Sequence, residues 1–519
     1  MTAPRLVPVD LALPFWQYGA MFGPGTCSFL LDSALAPAAH GRFSFLGGNP
    51  RALLTGRRTG RTDLAMDLVL ETYGEPSSCV EWTGDPFSAL RDLQARYRPE
   101  EVPPGGHFFS GLVGYFGYET GYSIEHLPDT GQDDLGLPDL AFMVVDEVLR
   151  HDHSSGETVL SIVDRGDAEA RISEWRARIA SLEADVAGRE VRDDGAGFPG
   201  RLKDAGARMA EAPVSRADRS HGWRREAPPE TGPIIPDFPP VRVLFTEDEY
   251  CAAVQKCRDH IFAGDVFEVC LTHKMEMDLA GSPWELFGIL RDINPAPFAS
   301  YLQFPDFQIV SASPERFLSL GPDRIAESRP IKGTRPRGVD PADDERLRRE
   351  LEESEKDRAE NVMIVDLVRN DLGKVAATGS ITVPELQVIE EYATVFQMVS
   401  TVRAELKQDR DAFDLVRACF PGGSMTGAPK IEAMKIIDAL EPVKRGVYSG
   451  AIGYIDHGGT MDLSIVIRAI VCKDGRATFG VGGAVVADSD PAAEYQETLD
   501  KARALIAAVR ILADRKAKT

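Results

Sequence analysis

Long apolar runs are missing from this sequence. No stretch of about twenty apolar residues occurs, so nothing in it offers a membrane-spanning helix. The opening, Met1 to Trp16, has one arginine and an apolar stretch interrupted by Pro8, Asp10 and Pro14, which makes a poor signal peptide. Cysteine is scarce: seven residues, scattered, with no CxxC spacing. Neither a disulfide framework nor a zinc ribbon is suggested, and no His/Cys cluster offers a zinc site. An odd number of dispersed cysteines fits a reducing compartment, so the cytoplasm is the expected location. Positive charge is in deficit. Lys and Arg number 58 against 81 Asp and Glu, a net charge of −23, which argues against nonspecific binding of nucleic acid or an anionic membrane. An anionic small molecule in a locally basic site is not excluded.

What is present is an ordinary globular composition. The 519 residues are 43% apolar, enough for two or three domains or one large domain with an appended lobe. Residues 1–186 read as a first region. In it Gly111–Tyr118 reads as a strand that other backbone approaches closely, and Leu140–Val148 and Thr158–Val163 as further strands. Ala168, Ile172, Trp175, Ile179 and Leu182 mark a helix over 166–186. Residues 187–240 turn polar and rich in Gly, Pro, Arg and Asp without periodicity, and read as a connecting segment. The remainder, 241–519, alternates helical and strand signals. Thr246 and Glu249 have capping-box spacing. Val447–Ile455, Met461–Cys472 and Ala477–Ala487 read as an antiparallel meander, followed by a terminal helix from Pro491. Short hairpin-linked strands among helices predict an α+β class.

Several residue sets in this second half carry chemical potential. Lys332 sits between a rigid proline and a glycine in Pro330-Ile331-Lys332-Gly333-Thr334. Alone it reads as a solvated turn lysine; with its pKa lowered by desolvation or nearby cations it becomes a nucleophile. Glu494, Glu497 and Lys501 fall along one face of the last helix, either as a solvated face or as oxygen ligands for a metal. Glu360 lies in a predicted helix over 354–370. Arg468, placed by alternation beside Val466 and Ile470, requires a partner, structural or ligand. Gly482-Gly483-Ala484 can offer backbone N–H groups to an anion, although a Gly-Gly pair alone is more often a bulge.

Taken together, Ser313-Pro314-Glu315-Arg316, the PIKGT segment, Asp357-Arg358-Ala359-Glu360-Asn361, the run Pro421-Gly422-Gly423-Ser424-Met425-Thr426-Gly427-Ala428-Pro429-Lys430 and Glu494-Tyr495-Gln496-Glu497-Thr498 resemble the chorismate-utilising family, which includes the first components of anthranilate and aminodeoxychorismate synthases. The resemblance implies a two-lobed sandwich of mainly antiparallel sheets with outer helices. It implies Mg²⁺ held by Glu360 and Glu497, with Glu494 assisting, and Glu315 as general acid. Chorismate would be gripped by Tyr448, Arg468, Gly333, Thr334, Thr426, Lys430, Gly482, Gly483, Ala484 and Lys501. Relatives often have a third glycine where Ala484 stands.

Within that family the lysine of PIKGT resembles the aminodeoxychorismate branch, in which it bonds C2 of chorismate and ammonia then enters at C4, on the route to p-aminobenzoate and folate. Glu268, in Gly264-Asp265-Val266-Phe267-Glu268-Val269-Cys270-Leu271-Thr272, stands where isochorismate synthases carry a water-activating lysine. Gln397 stands where anthranilate synthases have a histidine linked to pyruvate loss. Anthranilate or 2-amino-2-deoxyisochorismate formation is the alternative, and a silent scaffold is disfavoured by the intact acidic and lysine residues. No Gly-x-Cys-x-Gly setting is present, so ammonia is expected from a separate class I glutamine amidotransferase subunit. Ser33, Arg42, Phe43, Pro295 and Phe298 resemble parts of a tryptophan pocket.

Overall fold

The computed structural model describes residues 4–33, 41–58, 63–74, 77–103, 108–190, 240–392 and 395–518. Almost all of the expected connecting segment, 187–240, lies outside them. Two sheets of twelve strands each are formed. One runs from the edge strand Pro4–Pro8 through Thr158–Val163, Glu147–Asp152, Phe43–Gly48 and Ser28–Asp32, then on through Phe298–Gln303, Gln308–Ser313, Ala469–Lys473, Arg476–Val485 and Glu268–Asp278. The other runs from Ile331–Pro336 through Val395–Glu405, Ile325–Ser328, Arg316–Leu320, Met461–Ile465 and Ala451–Asp456, then through Gly111–Phe116, Leu140–Val145 and Ala52–Arg57 to Ser78–Gly84. N-terminal strands thus build one end of each sheet and C-terminal strands the other. The seams are the antiparallel pairs Ser28–Asp32 with Phe298–Gln303 and Gly111–Phe116 with Ala451–Asp456.

Alternating side chains explain the layering. Phe29, Phe45, Leu302 and Ile309 of the first sheet meet Leu53, Val113, Tyr115 and Ile452 of the second between the sheets. Leu30, Leu46, Leu149 and Tyr301 point outward beneath the helices Ala168–Glu190, Pro283–Ile293 and Pro491–Lys518. Leu54, Leu68, Phe142 and Leu463 do the same beneath Pro86–Tyr97, Glu355–Gly373 and Ala412–Cys419. This is the expected α+β sandwich with outer helices. Among the described residues no helix is long and apolar enough to cross a membrane.

Two expected strands are each two strands. Leu140–Val148 divides at buried Asp146, which binds Arg51 and Arg165, and the chain passes from one sheet to the other there. Met461–Cys472 divides between Ile465 and Ala469, with Arg468 at φ 54°, and again the chain changes sheet. Arg468 is therefore not a mid-strand residue alternating with Val466; left-handed backbone ends the strand before it. The meander's first strand begins at Ala451, leaving Tyr448 in the preceding turn, beside Ser449 at φ 66°.

The second lobe is tied together by a buried ion pair. Arg445 donates to both carboxylate oxygens of Glu441, at 2.8 and 2.6 Å, and to the carbonyls of Met425 and Cys270. It joins the end of the Lys430–Leu440 helix to the PGGSMTGAPK run and to the strand Glu268–Asp278. Removing one member of such a pair leaves the other buried and uncompensated. Arg445→Ala is expected to lower the unfolding free energy by about 3–5 kcal/mol, measured by urea denaturation.

Candidate active site

Lys332 occupies the strand Ile331–Pro336 at one end of the second sheet, and Glu268 begins the strand Glu268–Asp278 in the first. The two side chains meet: Lys332 Nζ donates to Glu268 Oε1 at 2.8 Å and lies 3.9 Å from Glu360 Oε2. Lys332 is 9% exposed and Glu268 fully buried. Gly333 makes this placement feasible. Its φ is 85°, and a Cβ there would fall 2.7 Å from Leu351 and 2.9 Å from Asp357, so any other residue would push away the helices behind the lysine.

The sequence reading expected cations or desolvation to lower the pKa of Lys332. Burial does act in that direction, but Glu268 and Glu360 outweigh it and hold the ammonium well above its ordinary range. In the unliganded protein Lys332 is a charged, paired lysine.

Glu360 projects from the helix Glu355–Gly373, whose start is capped by Ser354. Burial, partly offset by Lys332, pushes its carboxyl up to about 7. Among the described residues its buried Oε1 has no hydrogen-bond donor, nor has Oε2 of Glu494 on the terminal helix. Lys356 Nζ stands 3.9 Å from both Glu360 and Glu494. A Cβ on Gly483 would fall 2.8 Å from Glu494 Oε2, which would have to shift, and at ordinary contact distance, 3.7 Å, from Glu497 Oε1. Glu497 pairs with Lys501 at 2.7 Å, and Lys501 also donates to the Gly482 carbonyl.

Among the described residues no three His, Cys, Asp or Glu side chains form a ready-made metal site. Two orphaned carboxylate oxygens, one on Glu360 and one on Glu494 beside a bare glycine, nonetheless fit a hard cation that keeps most of its waters, as Mg²⁺ does. Of the two expected ligands Glu360 has a vacant oxygen; on the terminal helix it is Glu494, expected only to assist, that has the other. An incoming cation must displace the proton of Glu360. Its affinity is expected to fall about tenfold per pH unit below 7 and to level off above. Calorimetry with Mg²⁺ at pH 6 and pH 8 measures this.

Glu315 is buried, and burial pushes its carboxyl up to about 7, with Ser424 donating to Oε1 at 2.9 Å and Lys332 acting against the shift. A carboxyl poised there can give a proton near neutrality. Ser424 was not singled out from the sequence, although it lies in the PGGSMTGAPK run. Lys356 was missed too, because a helix-surface lysine carries no local signal.

Arg468 lies within electrostatic reach of Tyr448 and Glu497, and donates to the Lys501 carbonyl at 2.6 Å. Tyr448 packs over Gly480. Gly482, Gly483 and Ala484 pair with Thr272, Leu271 and Cys270, so this backbone runs beside the strand of Glu268.

Three expected substrate contacts fall elsewhere. Lys430 donates to Asp371 and to the Cys419 carbonyl, both at 2.6 Å, and so anchors its helix start. The Thr426 hydroxyl donates to the Gly422 carbonyl and serves its own turn. Thr334 is exposed, opposite Gln397.

A cavity of about 250 Å³ lies at the seam between the halves, lined by Ser33, Arg42, Phe43, Phe298, Arg316 and Tyr454 among others. Arg42 is held there by Asp152. Pro295 is outside the lining.

Comparison with known proteins bears on the family and the fold. The model of the chorismate binding enzyme family matches residues 49–507. An aminodeoxychorismate synthase of Streptomyces griseus is 40% identical over 94% of this chain, which covers 62% of that protein. An aminodeoxychorismate synthase component 1 of Klebsiella aerogenes is 36% identical over 96% of this chain and 99% of its own length. Anthranilate synthase component 1 of Streptomyces coelicolor is also 36% identical, over 96% and 87%. The chain thus spans less than two thirds of the length of the Streptomyces griseus protein. Among solved structures, anthranilate synthase component I from Streptococcus pneumoniae superposes with a TM-score of 0.67 at 27% identity, covering 90% of this chain and 92% of that one. The sandwich, the buried lysine and carboxylates, and a match running from the first lobe into the terminal helix have one common reading: this chain belongs to the chorismate-binding enzyme family.

Proposed function

We propose that the protein converts chorismate and ammonia to 4-amino-4-deoxychorismate through a covalent bond to Lys332. The observation that carries this reading is the position of Lys332: enclosed, 2.8 Å from Glu268 and within 3.9 Å of Glu360, not in solvent. Glu268 is the adjacent base to which Lys332 passes its proton before its amine bonds C2. Glu315, protonated up to about pH 7, gives its proton to the departing C4 hydroxyl, which leaves as water. Ammonia then bonds C4, and the ring electrons shift to release the lysine amine. Glu360 and Glu494 would hold Mg²⁺, which supplies positive charge for the ring carboxylate. In this reading Arg468 and Tyr448 receive the enolpyruvyl carboxylate, and nothing in the scheme removes that group.

Direct attack of ammonia at C2 leads toward anthranilate instead, the activity for which several relatives are named. The lysine adduct blocks C2 and so directs nitrogen to C4. Mass spectrometry of the products from chorismate, Mg²⁺ and ammonium chloride tests the choice. The expected product retains the enolpyruvyl ether; fluorescent anthranilate without added lyase would overturn the reading. Ammonia is supplied in this scheme by a separate glutamine amidotransferase subunit. The seam cavity, with Phe43 and Phe298 on its walls, is proposed to take tryptophan, and a flat calorimetric titration would remove that assignment.

A further inference from the structure

Glu268 has a second oxygen that the scheme above leaves idle. Its side chain is fully buried, Oε1 accepts from Lys332, and Oε2 has no donor among the described residues. A buried carboxylate oxygen without a donor costs more than a typical hydrogen bond returns, so such an atom calls for an occupant. Its surroundings narrow the choice.

Alternation along Glu268–Asp278 places Glu268 and Cys270 on one face and Val269 and Leu271 on the other, where the latter two pack with Tyr250 and Ala433. The Glu268 backbone is closed in by the Gly427–Ala428 bridge, and a Cβ on Gly427 would fall 2.1 Å from the Glu268 carbonyl. The free oxygen therefore belongs to the reaction side, beside the lysine that carries the ring. Of the cations and donors that face this cluster, Lys332 is engaged by Glu268, Lys501 by Glu497 and the Gly482 carbonyl, and Ser424 by Glu315, while Lys356 stands half exposed beside Glu360 and Glu494 and makes no contact with Glu268. What is left to satisfy Oε2 is a small molecule rich in N–H or O–H donors that arrives during the reaction.

We infer that Glu268 Oε2 is the binding point of the incoming ammonia. This rests on the proposed amination and specifies where its nitrogen waits. One N–H points at Oε2 and the lone pair is left free to face the ring. In the step that follows, that lone pair forms the bond to C4, the ring double bonds shift, and the C2–nitrogen bond to Lys332 breaks with its electrons returning to the lysine amine. The proton earlier passed to Glu268 goes back to that amine, and the ammonium formed at C4 returns one proton to Glu315. Every charge is restored. A glutamine at 268 would offer an NH₂ where ammonia needs an acceptor, or turn that NH₂ against Lys332; either orientation spoils one of the two contacts.

The test is steady-state kinetics of the full chain with Mg²⁺, varying ammonium chloride and chorismate separately. Glu268→Gln is expected to raise KM for ammonium at least tenfold while KM for chorismate changes less than threefold, a split that a merely structural role would not produce. Glu268→Asp keeps the charge but withdraws the oxygen by one methylene, and is expected to raise KM for ammonium by a smaller factor, above twofold. If Glu268→Gln does not fold or turn over, Glu268→Asp decides alone. The inference is overturned if KM for ammonium stays within twofold of the unchanged protein, or if KM for chorismate rises in step with it. Amination with an unaltered ammonium KM would sink this inference alone; absence of any aminated product from the unchanged protein would sink the proposed function with it.

Discussion

Lys332→Ala is expected to lower formation of 4-amino-4-deoxychorismate by at least about a thousandfold, since loss of a covalent nucleophile removes a whole step and not one stabilising contact. The reason is positional. Lys332 is the amine that the two sheets bring against the Glu360 and Glu268 carboxylates, and among the described residues no neighbouring lysine is placed to replace it. Lys356 is half exposed at the other side of Glu360, Lys501 is bound to Glu497, and Lys430 is committed to Asp371. Residual turnover should carry nitrogen at C2, because C2 is then open to ammonia. Product chromatography with mass detection reads both effects. Binding of chorismate should persist, since Arg468 and Tyr448 are untouched. Stability should fall, because the variant leaves Glu268 fully buried without its charged partner.

Glu315→Gln is expected to lower turnover by about 10²–10⁴-fold, the usual contribution of a positioned general acid, and to abolish one limb of the pH profile. The sign follows from the raised carboxyl. Glu315 titrates near 7 in the folded protein against 4.5 ordinarily. The active form is protonated, so kcat/KM should fall about tenfold per pH unit above 7. At subsaturating Mg²⁺ the proton on Glu360 opposes the cation below 7, which adds an acidic limb that excess Mg²⁺ removes. The glutamine variant keeps the shape and can still accept from Ser424, so a flat alkaline limb together with a native unfolding curve separates proton donation from packing. The same raised pKa bears on stability: the folded state holds this proton more tightly than the unfolded chain, so the contribution is full below about 4.5 and is lost as pH rises toward 7.

Much of the site was legible because its residues are local in sequence. The capping box at Thr246 and Glu249 forms as its spacing predicted, and the spacing of Glu494, Glu497 and Lys501 placed them along one helical face. The Lys332–Gly333 pair gave a lysine and the glycine that lets helices close behind it. What was not legible depends on distant partners. The charge state of Lys332 is set by Glu268, 64 positions away, and no local pattern reports it. Lys430 looked free for a substrate because Asp371 lies on another helix. The strands Leu140–Val148 and Met461–Cys472 read as continuous because a period of two survives a change of sheet. Only the left-handed backbone at Arg468 and the buried Asp146 mark where each chain segment crosses.

The covalent role of Lys332 is tested most directly by trapping. The protein is mixed with chorismate and Mg²⁺ without ammonia, quenched in acid, digested and analysed by mass spectrometry. The account predicts a Lys332 peptide heavier by chorismate less one water, appearing within a turnover and disappearing when ammonium is added before the quench. An unmodified Lys332 peptide under conditions where the same preparation makes 4-amino-4-deoxychorismate would contradict it.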